Sequence, residues 1–192
     1  MEAAAATLEQ MSFRQALILF PLAVALHIFE EWPRFPRWAR RFASPTYTDR
    51  DYIITHVFAI LFAIGAVLLV RAFPNRWILF GFFAFVFWPG TFCNALFHAG
   101  ATVLSRRYCP GVLTGILVYL PLSFLLAVVG VRDGLLSERS LLVALIVAGG
   151  FHTIEVGHNV FKRWWAPSPP RAPSQAVPVE AGIARSMPSV QR

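Results

Sequence analysis

The sequence predicts an all-α protein: a polytopic membrane helix bundle of five transmembrane helices, ending in a disordered, Pro-rich C-terminal tail. Three observations carry that reading. Of the 192 residues, 57% are hydrophobic and only 14% charged, and the mean hydropathy is +0.58, far from a soluble composition. Five stretches are long enough to be helical spans. The basic residues border those stretches and form no patch of their own.

The first span runs from Phe13 to Trp32, after a short N-terminal tail over residues 1–12. Glu2 and Glu9 precede Arg14, unlike the basic start of a cleaved signal, so a retained helix is expected. The second span runs from Tyr52 to Phe73 and the third from Trp77 to Leu104. Neither carries a formal charge between Tyr52 and Val70 or between Trp77 and Leu104. Within the third, "FWPGTFCNALFH" places Pro89, which lacks an amide donor, before Gly90, and a kink or break is expected there. "RRYCPG" then turns the chain into a fourth span, Pro110 to Val131, with Tyr108 at the interface and Pro110 near the first helical position. The fifth runs from Ser140 to Phe161. One compact bundle over 13–165 uses up this length. Residues 166–192 are rich in Pro and Ser with little to bury, and are expected to be disordered. Cys93 and Cys109 form no CxxC pair.

Lysine and arginine set the expected orientation. One set of connections carries Arg34, Arg37, Arg40, Arg41, Arg50, Arg106, Arg107, Lys162, Arg163, Arg171, Arg185 and Arg192. The opposite set carries Arg14, Arg71, Arg76, Arg132 and Arg139. The N-terminus is therefore expected outside and the C-terminus in the cytoplasm. A net charge of +7 does not point to nucleic acid, because no reading motif accompanies the basic residues. Membrane lipid with anionic headgroups is the expected partner. "EWPRFPRWARRF" mixes Trp, Phe and Arg as a segment lying among headgroups would.

All five histidines, His27, His56, His98, His152 and His158, fall inside spans, and this topology puts each in the cytoplasmic half of the bilayer. Glu30, Glu31 and Glu155 lie in the same layer. An ionisable group at the bilayer centre costs roughly 2.5–3.5 kcal/mol on insertion scales, so these acids need partners. Helical spacing puts His27, Glu30 and Glu31 on one face, His152, Glu155 and Asn159 on another, and Asn94 with His98 on a third. His158 points to the side and His56 lies near a helix start, so both stand apart from the main set.

Imidazole with carboxylate suits a divalent metal ion: zinc, iron or manganese. The expected ligands are His27, Glu30, Glu31, His98, His152 and Glu155, supported by Asn94 and Asn159. The catalytic carboxylates among them are Glu30, Glu31 and Glu155. A His-x-x-Glu step occurs twice, His27–Glu30 and His152–Glu155, the reverse of the Glu-x-x-His step of di-metal bundles. The corresponding chemistry is metal-dependent hydrolysis or oxidation of a lipophilic small-molecule substrate entering from the bilayer. Two alternatives stand beside it. One is a metal-free His/Glu acid–base enzyme acting on a lipid or isoprenoid. The other is a non-enzymatic protein whose polar layer serves assembly or partner binding, although interhelical polar contacts average only about 0.6 kcal/mol. Haem between His98 and His152 fits poorly beside three carboxylates, and the absence of an evident repeat argues against an inverted-repeat transporter.

"HIFEE" at the end of a first span, "NALFH" in the third and "YCPG" before the fourth resemble the HXXEE family of small bacterial membrane proteins of unknown function. The resemblance covers Phe13 to Phe161. It implies the bacterial inner membrane, His27, Glu30 and Glu31 as defining residues, and Asn94 and His98 as companions. It supplies no reaction.

Overall fold

The computed structural model describes the backbone of residues 10–165 and the side chains of residues 10–154. Among the described residues six helical elements follow one another: α1 (Phe13–Glu31), α2 (Arg34–Phe42), α3 (Asp49–Ala72), α4 (Arg76–Ser105), α5 (Val112–Arg132) and α6 (Glu138–Trp165). No strand occurs among the described residues. The class is all-α, as composition and periodicity predict.

Helices α1, α3, α4 and α5 are each long and apolar enough to cross a membrane, which makes this an integral membrane protein. Among the described residues that is one span fewer than the five expected. The fifth stretch forms α6, 28 residues long, whose side chains beyond Ile154 lie outside the described residues. Also outside them are the tail expected from residue 166 and the side chains of Glu155, His158 and Asn159. The outward faces are apolar. Phe58, Leu61 and Leu68 of α3, Leu117 and Phe124 of α5, and Ile146 of α6 are all exposed. Such surfaces are stable against lipid and unstable against water.

Inside, Phe13, Leu17 and Phe20 of α1 meet Leu79, Phe82, Phe83 and Phe87 of α4 and Leu122, Leu126 and Val129 of α5. Phe20 meets the Phe87 ring edge-on at 5.2 Å. At this end of the bundle Asp133 Oδ2 accepts the Phe13 N–H at 2.8 Å, tying the start of α1 to the end of α5.

Of the kink or break expected at Pro89, the break does not occur. Helix α4 runs through it by widening into π-helical turns over Phe83–Phe87 and Pro89–Cys93. Thr91 Oγ1 donates to the Phe87 carbonyl at 2.6 Å and accepts from Ser123 of α5 at 3.0 Å. The hydroxyl thus engages a carbonyl two residues ahead of the proline and pins α4 to α5.

The connection over residues 33–48 is not a plain loop. Its α2 buries Pro36 and Ala39, half-buries Phe35 and Trp38, and turns Arg34, Arg37 and Arg41 outward. Arg40 bonds Asp49 at 2.8 Å, and Thr48 caps α3 by accepting the Asp51 N–H at 3.1 Å. These ties hold α2 across the end of the bundle where the histidines sit.

Candidate metal centre

Four helices approach at the C-terminal end of α1. His27 and Glu31 are four residues apart, so they rise from one face, with His27 Nε2 3.5 Å from Glu31 Oε1. His98 of α4 brings Nε2 to 3.2 Å from the same oxygen. One ligand atom from each of these three residues lies within 4.8 Å of the others, and the residues are only 1–3% exposed. From α3, His56 Nε2 reaches the second oxygen, Oε2, at 2.9 Å, and the Tyr52 hydroxyl donates to it at 3.1 Å.

The opposite ring nitrogens are occupied elsewhere. His56 Nδ1 lies 2.7 Å from the Tyr52 carbonyl, which only accepts, so Nδ1 carries a proton. His98 Nδ1 lies 3.3 Å from Cys109 Sγ. Burial pushes the Cys109 thiol up to about 12, so it keeps its hydrogen, which points to the Pro110 carbonyl. The sulfur is then left to accept from His98 Nδ1–H. His27 Nδ1 lies 2.7 Å from Thr114 Oγ1. Three Nε2 atoms therefore face one carboxylate. His27 Nε2 is within ion-pair distance of Glu31 yet meets no hydrogen-bond geometry, a buried nitrogen without a hydrogen-bond partner among the described residues. Electron-pair donors converging in this way require protons or a metal cation between them.

Glu30 has a different task. Its oxygens accept the backbone N–H groups of Gly111 (2.9 Å), Leu113 (3.1 Å) and Thr114 (2.7 Å), together with the hydroxyls of Tyr108 and Thr114. These amides are unpaired donors at the start of α5, so a side chain of α1 caps another helix. Burial, then the Glu30 contact, pushes the Tyr108 phenol up to about 12, which keeps it a donor. Between these groups Gly111 has φ +99°, and a Cβ there would lie 2.7 Å from Cε1 of both His27 and His98. Only glycine allows the two rings to come this close to the turn.

Aromatic rings wall the cluster. Tyr119 stacks on His27 at 4.5 Å, and Phe35 of α2 lies 5.7 Å from the His98 ring. A surface groove of about 470 Å³, lined by Val128, Arg132 and Leu141, lies at the opposite end of α5 and has no part in this geometry.

The family model for proteins of unknown function with an HXXEE motif matches residues 18–126, more than half the chain and every residue of the cluster. The chain belongs to the HXXEE family. An uncharacterized protein, YrkK, of Bacillus subtilis is 28% identical over 137 residues, covering 68% of this chain and 84% of that protein. No solved structure matches significantly.

In this HXXEE protein, the structure brings together His27, Glu31 and His98 of the expected ligands, and adds His56, which the sequence reading had set apart. Of the first motif, the i, i+4 pair His27–Glu31 lies in the cluster and the i, i+3 pair His27–Glu30 does not. Glu30, expected as a ligand, is turned instead to the start of α5, because both its oxygens are engaged there. His152, also expected as a ligand, stands outside the three-residue group. Helix α6 packs along α4, and the Phe97 ring lies 6.2 Å from the His152 ring. Asn94, expected to support His98, has no hydrogen bond at its buried Oδ1 among the described residues, and Cys109 takes that role. Glu155 and Asn159 lie outside the described side chains. Sequence reasoning did not single out Thr114, Gly111, Cys109, Tyr52 or Tyr119. "YCPG" was the available signal for two of them.

Proposed function

We propose that this protein is a membrane-embedded, metal-dependent enzyme that holds a divalent ion, zinc, iron or manganese, between His27, Glu31 and His98. The observation that carries the reading is the convergence of two buried imidazole Nε2 atoms on one Glu31 oxygen, at 3.5 and 3.2 Å. Bonds of about 2 Å to a four-coordinate ion separate its ligand atoms by about 3.3 Å, so the spacing suits a shared cation. Two histidines and one carboxylate leave coordination positions open, as in catalytic zinc sites and non-haem iron oxygenases. Such an ion polarises a substrate oxygen or activates water or dioxygen. The chain's own residues hold and orient the ligands, exclude water with Phe35 and Tyr119, and keep a proton on the His56–Glu31 pair. The substrate class this supports is a lipophilic molecule arriving from the bilayer, and the chemistry is hydrolytic or oxidative. The basic residues bordering the helices support α6 as a fifth span, with the N-terminus outside and the site in the cytoplasmic half.

Elemental analysis of protein purified in detergent without chelators tests this. The expected result is about one ion per chain, lost in a His27→Ala, Glu31→Ala double variant. A folded wild-type protein without metal overturns it. One observation then favours a metal-free acid–base enzyme on a lipid or isoprenoid: His56 and Glu31, 2.9 Å apart, share a proton beside the Tyr52 hydroxyl.

A further inference from the structure

We propose that Glu30 and Thr114 are positioning residues that fix which nitrogen of His27 faces the centre, so that the paired acids of the motif divide the work between ligand and orienter. The inference rests on the metal reading only for its affinity measurement.

Hydrogen counting carries it. Thr114 Oγ1 has one hydrogen and three neighbours: Glu30 Oε2 at 2.5 Å, His27 Nδ1 at 2.7 Å and the Gly111 carbonyl at 3.3 Å. Glu30 accepts from four other donors, the Tyr108 hydroxyl and the N–H groups of Gly111, Leu113 and Thr114, and acts as an acceptor throughout. The carbonyl also only accepts. The Thr114 hydrogen therefore goes to Glu30 as the shorter, charge-assisted bond. Its oxygen is left to accept, so His27 Nδ1 must be the donor. A neutral His27 then presents an unprotonated Nε2 toward Glu31 and His98, which is the buried nitrogen with no hydrogen-bond partner. Carboxylates acting on a ligating histidine in this way fix its tautomer and raise its basicity. Here the carboxylate acts through one hydroxyl, and the turn that supplies the hydroxyl is itself held by that carboxylate.

Two other features make the arrangement specific to a hydroxyl. Tyr119 stacked on one face of His27 and the Gly111 turn against its edge limit how the ring can rotate. The Thr114 N–H also bonds Glu30, at 2.7 Å, so a valine at this position keeps the backbone link and loses only the relay.

The test is nitrogen-15 NMR of histidine-labelled full-length protein in detergent, with the His27 signals identified by their loss in His27→Gln. Zinc affinity is measured in parallel by chelator competition. Wild-type protein is expected to show His27 protonated at Nδ1. Thr114→Val is expected to lose that tautomer and bind zinc roughly tenfold to hundredfold more weakly, whereas Thr114→Ser restores both. Tyr108→Phe removes a Glu30 donor outside the relay and is expected to leave the His27 tautomer unchanged. Wild-type His27 protonated at Nε2 overturns the proposal without any variant. So does Thr114→Val with wild-type tautomer and affinity. A wild-type protein that binds neither zinc, iron nor manganese yet keeps the Nδ1–H tautomer sinks the metal reading and supports the relay.

Discussion

His56 places Nε2 2.9 Å from Glu31 Oε2 while its Nδ1 is 2.7 Å from the Tyr52 carbonyl, so both ring nitrogens face acceptors. Removing the ring leaves that buried oxygen with the Tyr52 hydroxyl alone. His56→Ala is expected to lower stability by about 1–3 kcal/mol, the range for an under-satisfied buried polar group. His56→Gln, which keeps a donor, recovers part of it. Thermal melts in detergent measure both, and an unchanged melt for His56→Ala would remove the pair from the energetics.

Gly111→Ala is expected to damage the centre more than its size implies. The new Cβ meets two histidine rings at 2.7 Å in a left-handed backbone position. Strain of this kind costs on the order of 1–3 kcal/mol, and the rings move apart to relieve it. Gly65→Ala in α3 is the control, because nothing lies within 4 Å of a Cβ there. Melting and metal content are expected to fall together in Gly111→Ala and to hold in Gly65→Ala.

Phe35 covers His98 from α2 and also lies 6.1 Å from Tyr52. Phe35→Ala is expected to raise the rate at which an imidazole-modifying reagent reaches His98 severalfold, with peptide mass spectrometry as the readout. An unchanged rate would mean that α2 is not a cover.

Asp133 is held below the ordinary carboxyl range, first by the Phe13 N–H and then by Arg132. For a depressed carboxyl the stabilisation is present above the unfolded value of 3.8 and is lost as pH falls through the lower folded value. Wild-type protein is expected to melt higher than Asp133→Asn at pH 6, with the gap closing below pH 4. A gap that persists at acid pH would locate the effect in something other than this charge.

Much of the fold was legible because lipid imposes a simple rule on the chain: long apolar stretches become helices, and costly polar residues turn inward. That rule found α1, α3, α4 and α5, and placed His27, Glu31 and His98 together. It could not divide Glu30 from Glu31, since neighbouring residues on a helix differ by about 100° in direction and both directions are polar here. Spacing also put His152 at the right depth but carried no information on the Phe97 ring beside it. His56 looked like an interfacial residue because a helix start is normally wet. Glu31 of α1, 2.9 Å from its Nε2, and the Tyr52 ring stacked on it at 3.8 Å are what change its surroundings. Cys109 and Gly111 come from the turn before α5 and Thr114 from its first helical turn, where hydrophobic periodicity says nothing.

The clasp between Glu30 and the start of α5 also has a consequence for the order of synthesis. Its partners Gly111 and Thr114 follow 81 and 84 residues later, and at about 5–20 residues per second they leave the ribosome roughly 4–17 s after Glu30. During that interval the first helix is threaded with an acid that has none of its native donors, and His98 has not yet been made when insertion begins. The centre is thus a late product of translation, and a chain that displays it has already placed its α4–α5 hairpin.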